Sequence, residues 1–269
     1  MAITSDLNGK QYKLGRGKVY FDPYPLGISI LAATLGEGER YIGNTPGFTF
    51  TSESEDLEHF SSDEGVRNKD ASVQLSRSVT GSITCDNISP ENQALFVQGK
   101  SETVVQTASS GDVDTITVKL GRFYQLGVSV DIPLGVQLVS NVVITKGATP
   151  TTVAQPNNYE VDLAKGRIYI EEDAPNIVEG DVLTVTYDVG GGTKRQVISG
   201  GQPIYGAIRY EEDNAYGRND TYYFPHAKLT PDGDYELKGD DWQTMTFAVE
   251  FLTKGQQAAI YINGQAEPT

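Results

Sequence analysis

The sequence is poor in the residues from which most active centres are built. It holds one cysteine, Cys85, so no intramolecular disulfide can form and a cysteine-ligated metal site lacks its donors. Two histidines, His59 and His226, argue against a His-rich catalytic or zinc centre. Positive charge is scarce. Lys and Arg number 21 against 36 Asp and Glu, a formal net charge of −15, so the basic footprint that grips phosphates or an anionic membrane is missing. Long hydrophobic runs are missing as well. The most apolar stretch, residues 28–35, falls far short of the roughly 20 residues of a spanning helix. The opening MAITSDLNGK has no signal-peptide core, so a product that stays soluble where it is made is expected.

What is abundant points to strands and turns. Gly occurs 29 times and Tyr 15 times, with only 2 Met, which favours a mainly β fold. Between 71 and 86 the apolar Ala71, Val73, Leu75, Val79, Ile83 and Cys85 alternate with polar residues, interrupted only by Arg77 and Gly81. This predicts one strand of roughly 50 Å, with its apolar face in a core. Residues 47–55 repeat the pattern, Phe48 and Phe50 against Thr49, Thr51, Glu53 and Glu55. So do residues 242–252, where Met245, Phe247, Val249 and Phe251 alternate with Thr244, Thr246, Ala248 and Glu250, and Trp242 reads as a packing anchor, with an interface role as the alternative. Residues 203–210 and 219–229 form the arms of a further hairpin around EEDNAYGRND, and residues 17–23 an outer strand ended by proline. Ser89 as N-cap, Pro90 and Glu91 start one helix through Gln98, and Gly99 stops it.

From 101 to 200 short strand runs separated by turn clusters read as a small inserted β-sandwich domain. They include YEVDLAKGRIYI, a hairpin around Lys165 and Gly166. The flanking segments, 1–100 and 201–269, then make one discontinuous domain, with the glycines at 190–192, 200 and 201 as the return linker. The stretch 56–70, DLEHFSSDEGVRNKD, shows no periodicity and reads as a long loop with a purpose.

Motifs that carry chemistry are scarce. GxSxG, HExxH and P-loop spacings do not occur. The acidic clusters at 53–58, 171–173, 211–213 and 240–241 read as solvated charge runs, and DGDYE at 232–236 fails as a calcium loop because Leu237 stands where a glycine is needed. Cys85 reads as a core residue. No catalytic, cofactor or metal residues are assigned, and no enzymatic activity is expected. The site-like feature that remains is an extended polar sheet face carrying Glu53, Glu55 and Glu250.

The runs GRGKVYFDPYPLG, GERYIGNTPGFTFTSESEDLEHFSSDEGVRNKDASV and SVTGSITCDNISPENQALFVQG resemble tail tube proteins of long-tailed, siphovirus-like bacteriophages. The likeness covers about the first hundred residues, and 203–252 more loosely. It implies a structural virion protein whose hexameric rings stack into the tube that houses the tape measure protein and conducts DNA. Assembly would take place in the host cytoplasm, with tail terminator and distal tail or baseplate proteins as further partners and no membrane contact. The implied fold is a tail-tube β-sandwich or barrel domain with long lumen-lining strands and one packed helix, the insert lying on the tube exterior. Lumen-lining residues would be Thr49, Thr51, Glu53, Glu55, Gln74, Ser76, Ser78, Thr80, Thr244, Thr246 and Glu250. The 56–70 loop, with Asp56, Leu57, Glu58, His59, Phe60, Asp63, Glu64, Arg67 and Lys69, would reach the adjacent subunit or ring.

Six subunits of four strands at about 4.8 Å spacing would close at a diameter of about 40 Å, an open channel. The faces of Arg77 and Arg209 depend on register. Residues 1–14, the 56–70 loop and the C-terminal QAEPT are expected to order only on assembly. An alternative from the binding class makes the insert a surface-displayed adhesion or carbohydrate-binding module. A third reading, a glycoside hydrolase, would need a carboxylate pair across a cleft.

Overall fold

A computed structural model describes residues 12–25, 36–63 and 65–264. Residues 1–11, the apolar stretch 28–35, Glu64 and the QAEPT end lie outside the described residues. The chain is mainly β, with seventeen strands and one helix among the described residues. Strands β1 (Gly17–Pro23), β2 (Arg40–Tyr41), β3 (Gly47–Phe60) and β4 (Lys69–Cys85) precede the helix α1 (Pro90–Phe96). There follow β5 (Lys100–Gln106), β6 (Ser109–Thr117), β7 (Arg122–Gln125), β8 (Val139–Lys146), β9 (Thr151–Thr152), β10 (Tyr159–Asp162), β11 (Arg167–Ile170), β12 (Val182–Val189) and β13 (Gly192–Ile198). Then come β14 (Ile204–Glu212), β15 (Asp220–Asp232), β16 (Met245–Phe251) and β17 (Tyr261–Gly264).

The chain divides into two compact units. The first comprises the segments up to Glu102 and from Val197, the second Thr103–Gln196. The glycines at 190–192, read above as linker, belong to the second unit, where the Gly190 N–H donates to the Leu138 carbonyl at 2.8 Å.

In the first unit eight antiparallel strands form one open sheet, in the order β2-β1-β14-β15-β16-β4-β3, with β17 paired to the first residues of β15. Alternation sends Val19, Phe21, Val79, Ile83, Ile208, Leu229, Phe247 and Phe251 into one core. Aromatic rings fill its centre: Phe224 stacks on Phe251 at 4.2 Å and Phe48 meets Phe224 edge-on at 5.7 Å. Gly81 interrupts the apolar row of β4 for a steric reason. A Cβ there would meet the Thr49 carbonyl oxygen at 2.3 Å and the Phe251 ring at 2.8 Å.

The helix begins as its sequence dictates, with the Ser89 hydroxyl accepting from the Asn92 N–H at 3.2 Å. It stops at Phe96, earlier than Gln98, and Gln98 rather than Gly99 takes the positive φ, 48°. Leu95 and Phe96 pack on the core, Phe96 against Phe247 at 5.9 Å. Too short to stand alone, the helix is held by this packing.

Two corrections concern the long strands. The 56–70 stretch is not a loop, because β3 runs on to Phe60 and β4 starts at Lys69, joined only by residues 61–68. Bulges at Glu55/Asp56 and His59/Phe60 break the alternation that would have shown a strand in the sequence. The apolar row of β4 is also not all core. Val79, Ile83 and Cys85 are buried, but Ala71, Val73 and Leu75 are exposed. Strand β16 pairs with β4 only from Val79 to Cys85, so beyond Val79 the hairpin is a two-stranded arm that is exposed on both faces among the described residues.

Residues 12–14, expected to be loose, are tied down. The Leu14 N–H donates to the Tyr216 carbonyl at 3.1 Å, and Lys13 Nζ binds the buried carboxylates of Glu212, at 2.8 Å, and Asp220. Glu212 is therefore not part of a solvated acidic run.

His226 is buried in the same unit beside the Tyr24 and Tyr205 rings. Its Nδ1 lies 3.2 Å from the Thr253 carbonyl, and Nε2 has no partner. Burial, with a smaller push from Lys254, holds its pKa below the ordinary 6.5. The unfolded chain thus binds this proton more readily than the folded one. Stability is complete above the unfolded value and falls as pH drops below it, by at most about 1.4 kcal/mol per pH unit. Denaturant titrations should show stability falling as pH drops from 7 towards 5, and His226→Phe should flatten that fall.

The second unit pairs β6-β12-β8-β9 in one sheet and β10-β11-β7 in another. Ile116, Ile144 and Leu183 from the first and Ile168 and Ile170 from the second share one buried cluster, as in a sandwich. Gly166 turns β10 into β11 at φ 65°, where a Cβ would strike the Val136 carbonyl at 2.1 Å. The crossings between the units, β5 and β13, pair with each other.

Candidate functional site

The residues singled out by sequence fall on one sheet face and on the arm that continues it. Paired residues of an antiparallel ladder share a face. The pairs Phe48–Ile83, Phe50–Gly81 and Ser52–Val79 look into the core, so Thr49–Ser82, Thr51–Thr80, Glu53–Ser78 and Glu55–Ser76 look away from it. Strand β16 extends this polar face with Thr246 opposite Thr84 and Glu250 opposite Thr80. The Thr246 and Thr84 hydroxyls are 3.1 Å apart, and the Ser76 hydroxyl donates to Glu55 at 3.2 Å.

Ten of the eleven candidate polar-face residues are placed by this register or by position beside it. Thr49, Thr51, Glu53, Glu55, Ser76, Ser78, Thr80, Thr246 and Glu250 come together, and Thr244 lies just before β16. Gln74 does not join them. The bulge at Glu55/Asp56 sets it opposite Asp56, on the other face from Glu55.

Charge on the face is uneven. Glu250 is paired with Lys228 of β15 at 3.0 Å, which leaves Glu53 and Glu55 as its acidic end. Arg77 pairs in register with Ser54 and donates to the Ser52 hydroxyl at 3.2 Å, so it belongs to the opposite face. Arg209 shares the polar face further along the sheet. Its Nε donates to both Glu39 oxygens at 2.8 and 2.9 Å, and its guanidinium lies 4.8 Å over the Tyr223 ring.

On the arm, Asp56, Leu57, Glu58, His59 and Phe60 lie on β3, Lys69 opens β4, and Asp63 and Arg67 lie in the connection. Glu64 is outside the described residues. Cross-strand pairs brace the ribbon: Lys69 to Glu58 at 2.6 Å and His59 Nδ1 to Asp70 at 2.5 Å. Leu57 sits opposite Val73, and the two are 60% and 61% exposed, with Leu75 beside them at the bulge. Sequence reading missed this exposed apolar cluster because it assigned Val73 and Leu75 to the core. Trp242, read as a packing anchor with an interface role as the alternative, is 94% exposed and packs on nothing in the core cluster. Tyr235 takes the packing place instead, 5.6 Å from Phe96, with its hydroxyl donating to Gln243 at 3.3 Å.

Neither surface is an enclosed pocket. The void at the centre of the unit, lined by Val19, Ile83, Cys85 and Leu95, is about 10 Å³ and admits no ligand. Burial, helped by Asp86, pushes the Cys85 thiol up to about 11, so at neutral pH it is protonated and a poor nucleophile. Among the described residues, no group of three or more His, Cys, Asp or Glu could hold a metal ion. None of the described helices is long and apolar enough to cross a membrane. The arrangement offers an extended hydrogen-bonding face and an apolar-tipped ribbon, geometry suited to contact over area.

Comparison with curated proteins finds no match. A family model does match, over residues 12–259, and because that span takes in both units the chain belongs to the family described as protein of unknown function UCP028589.

Proposed function

We propose that this protein is the tail tube subunit of a long-tailed bacteriophage, forming hexameric rings that stack into the conduit for DNA. The observation that carries the reading is the arm. A two-stranded ribbon is marginal in water unless something packs on it, yet β3 and β4 hold their ladder well past the last core contact. Among the described residues strand β3 is also the edge of the sheet over 14 residues, a long row of unpaired backbone groups. Neighbouring subunits in a ring would cover the ribbon and pair the edge, removing both liabilities.

The polar face then lines the channel. Thr and Ser hydroxyls stay hydrated there, and Glu53 and Glu55 repel passing phosphates, so DNA finds no counterion-release contacts that would hold it. Because Glu250 is neutralised by Lys228, the repulsion concentrates at the arm end of the face. The second unit, which supplies no residue to the face or the arm, would decorate the tube, with the tape measure, terminator and baseplate proteins as partners of the assembled tube.

The reading is tested by negative-stain electron microscopy of concentrated protein together with its mass in solution. Rings or tubes with a stain-filled centre are the expected result. Particles that stay monomeric at every concentration would overturn it.

A further inference from the structure

We propose that the second unit binds a pyranose sugar on the outer face of its sheet β10-β11-β7, with the rings of Phe123 and Tyr169 as the platform. The sequence left this unit without a site, and the strand register supplies one. Ile168 and Ile170 of β11 are buried, so Arg167 and Tyr169, which alternate with them, look outward. Tyr169 pairs with Phe123 of β7 on one side and Glu160 of β10 on the other, and Arg167 pairs with Gln125 and Asp162. Two ranks of three side chains therefore share one face. Arg167 and Asp162 stand opposite one another, placed for a cross-strand ion pair, yet Asp162 is engaged by Lys165, whose N–H lies at 3.0 Å and Nζ at 3.3 Å. The Arg167 guanidinium lies instead 4.5 Å from the centre of the Phe123 ring, and that ring is 4.7 Å from Tyr169, tilted by 42°. Three planar groups are thus held together on the sheet. Phe123 nonetheless stays 59% exposed, and Glu160 beside Tyr169 has no partner among the described residues.

A ring platform with a carboxylate at one end and a guanidinium at the other suits a ligand that is apolar on one face and hydroxylated around its rim. A pyranose is such a ligand: its C–H face stacks on aromatic rings, and its hydroxyls donate to a carboxylate and accept from guanidinium N–H groups. Other occupants fit less well. Two rings are too little apolar surface for a stable protein partner, which covers about 800 Å² on each side. A nucleic-acid strand also stacks on aromatics, but it would meet Glu160 and a chain of net charge −15. Room for a second sugar adjoins the platform. Gln125, two residues from Phe123 on β7, also lines a hollow of about 310 Å³ together with Thr115, Thr117 and Tyr124. That volume falls within the range of about 300–1,000 Å³ of small-molecule sites, and three of these residues carry hydroxyls. All of the residues lie in the second unit, so the site is independent of tube assembly.

Isothermal titration calorimetry of the full chain against maltotriose, cellotriose, chitotriose and sialyllactose, with oligothymidylate as the competing stacking ligand, tests the site. Saturable binding of at least one sugar is expected, weakened about tenfold by Phe123→Ala and several-fold by Glu160→Gln. Trp242→Ala, which removes the exposed indole of the other unit, should leave it unchanged. Phe123 and Glu160 are exposed, so both variants should keep the wild-type urea midpoint. Binding that Phe123→Ala and Glu160→Gln leave intact would overturn the site, and so would the absence of binding to any of the sugars. Binding of oligothymidylate alone, abolished by Phe123→Ala, would overturn the sugar and make the platform a seat for a nucleic-acid strand. None of these outcomes bears on the tube reading, which microscopy tests separately.

Discussion

Ile83→Ala should cost about 3 kcal/mol of unfolding free energy, while Val73→Ala, ten residues earlier on the same strand, should change it by less than about 0.5 kcal/mol. Both are β4 residues of the same alternating row. Ile83 is fully buried in the core cluster with Cys85 and Phe247, and its truncation leaves a cavity that the rigid ladder between β3 and β16 cannot collapse. Val73 faces water opposite Leu57, so its methyl groups lose little. Urea titrations of the two variants in the monomeric state measure the contrast. On the proposed tube reading the order of importance reverses on assembly. Leu57→Asp with Val73→Asp should leave monomer stability nearly unchanged and abolish the rings or tubes that the proposal expects, because a buried unpaired carboxylate would not be tolerated where a neighbouring copy covered the arm. Equal stability losses for Ile83→Ala and Val73→Ala would mean that the arm is packed in the monomer.

Lys13→Ala should be the most damaging single change among the charged residues, at about 3 kcal/mol. Lys13 Nζ bridges Glu212, at 2.8 Å, and Asp220, both buried, and Glu212 also accepts from the Asp220 backbone N–H at 2.8 Å. Removing the ammonium leaves two carboxylates at the β14–β15 turn, with the largely exposed Arg218 as the remaining ion-pair partner of Asp220 among the described residues, at 3.3 Å. The hydrogen bond from Lys13 holds the Asp220 carboxyl below its ordinary 3.8, and the same contact raises Lys13 above 10.5. The signs follow. Asp220's share of the stability is present above pH 3.8 and lost as pH falls through its depressed folded value. Lys13's share is present below 10.5 and lost as pH rises through its raised one. The difference between wild type and Lys13→Ala should therefore be flat between about pH 5 and 9 and shrink on either side. Adding Glu212→Gln and Asp220→Asn to Lys13→Ala should recover part of the loss. A flat pH profile down to pH 2 would show that the bridge contributes nothing.

The legibility of the sequence varied with what each residue depends on. The helix start at Ser89 was readable because capping is a local matter of one hydroxyl and one N–H. The Phe48/Phe50 and Thr49/Thr51 faces were readable because the alternation there is unbroken. Bulges hid the strands at 56–60 and 69–70, and the one at Glu55/Asp56 also moved Gln74 off the face it was assigned to, since one extra residue exchanges faces for all that follow. Trp242 was misread as an anchor because its neighbours alternate like a strand, while Tyr235, from the same loop, fills the site against Phe96.

By itself, then, the sequence determined the mainly β character, the long strands, the capped helix and the poverty of catalytic and metal-binding groups, all of which follow from composition and short-range periodicity. The tertiary structure alone decided which half of β4 is core. Ala71, Val73 and Leu75 obey the same alternation as Val79, Ile83 and Cys85, but only the second set has β16 as a neighbour. Burial is conferred by what packs across the sheet, and periodicity along a chain specifies a face without specifying what will cover it.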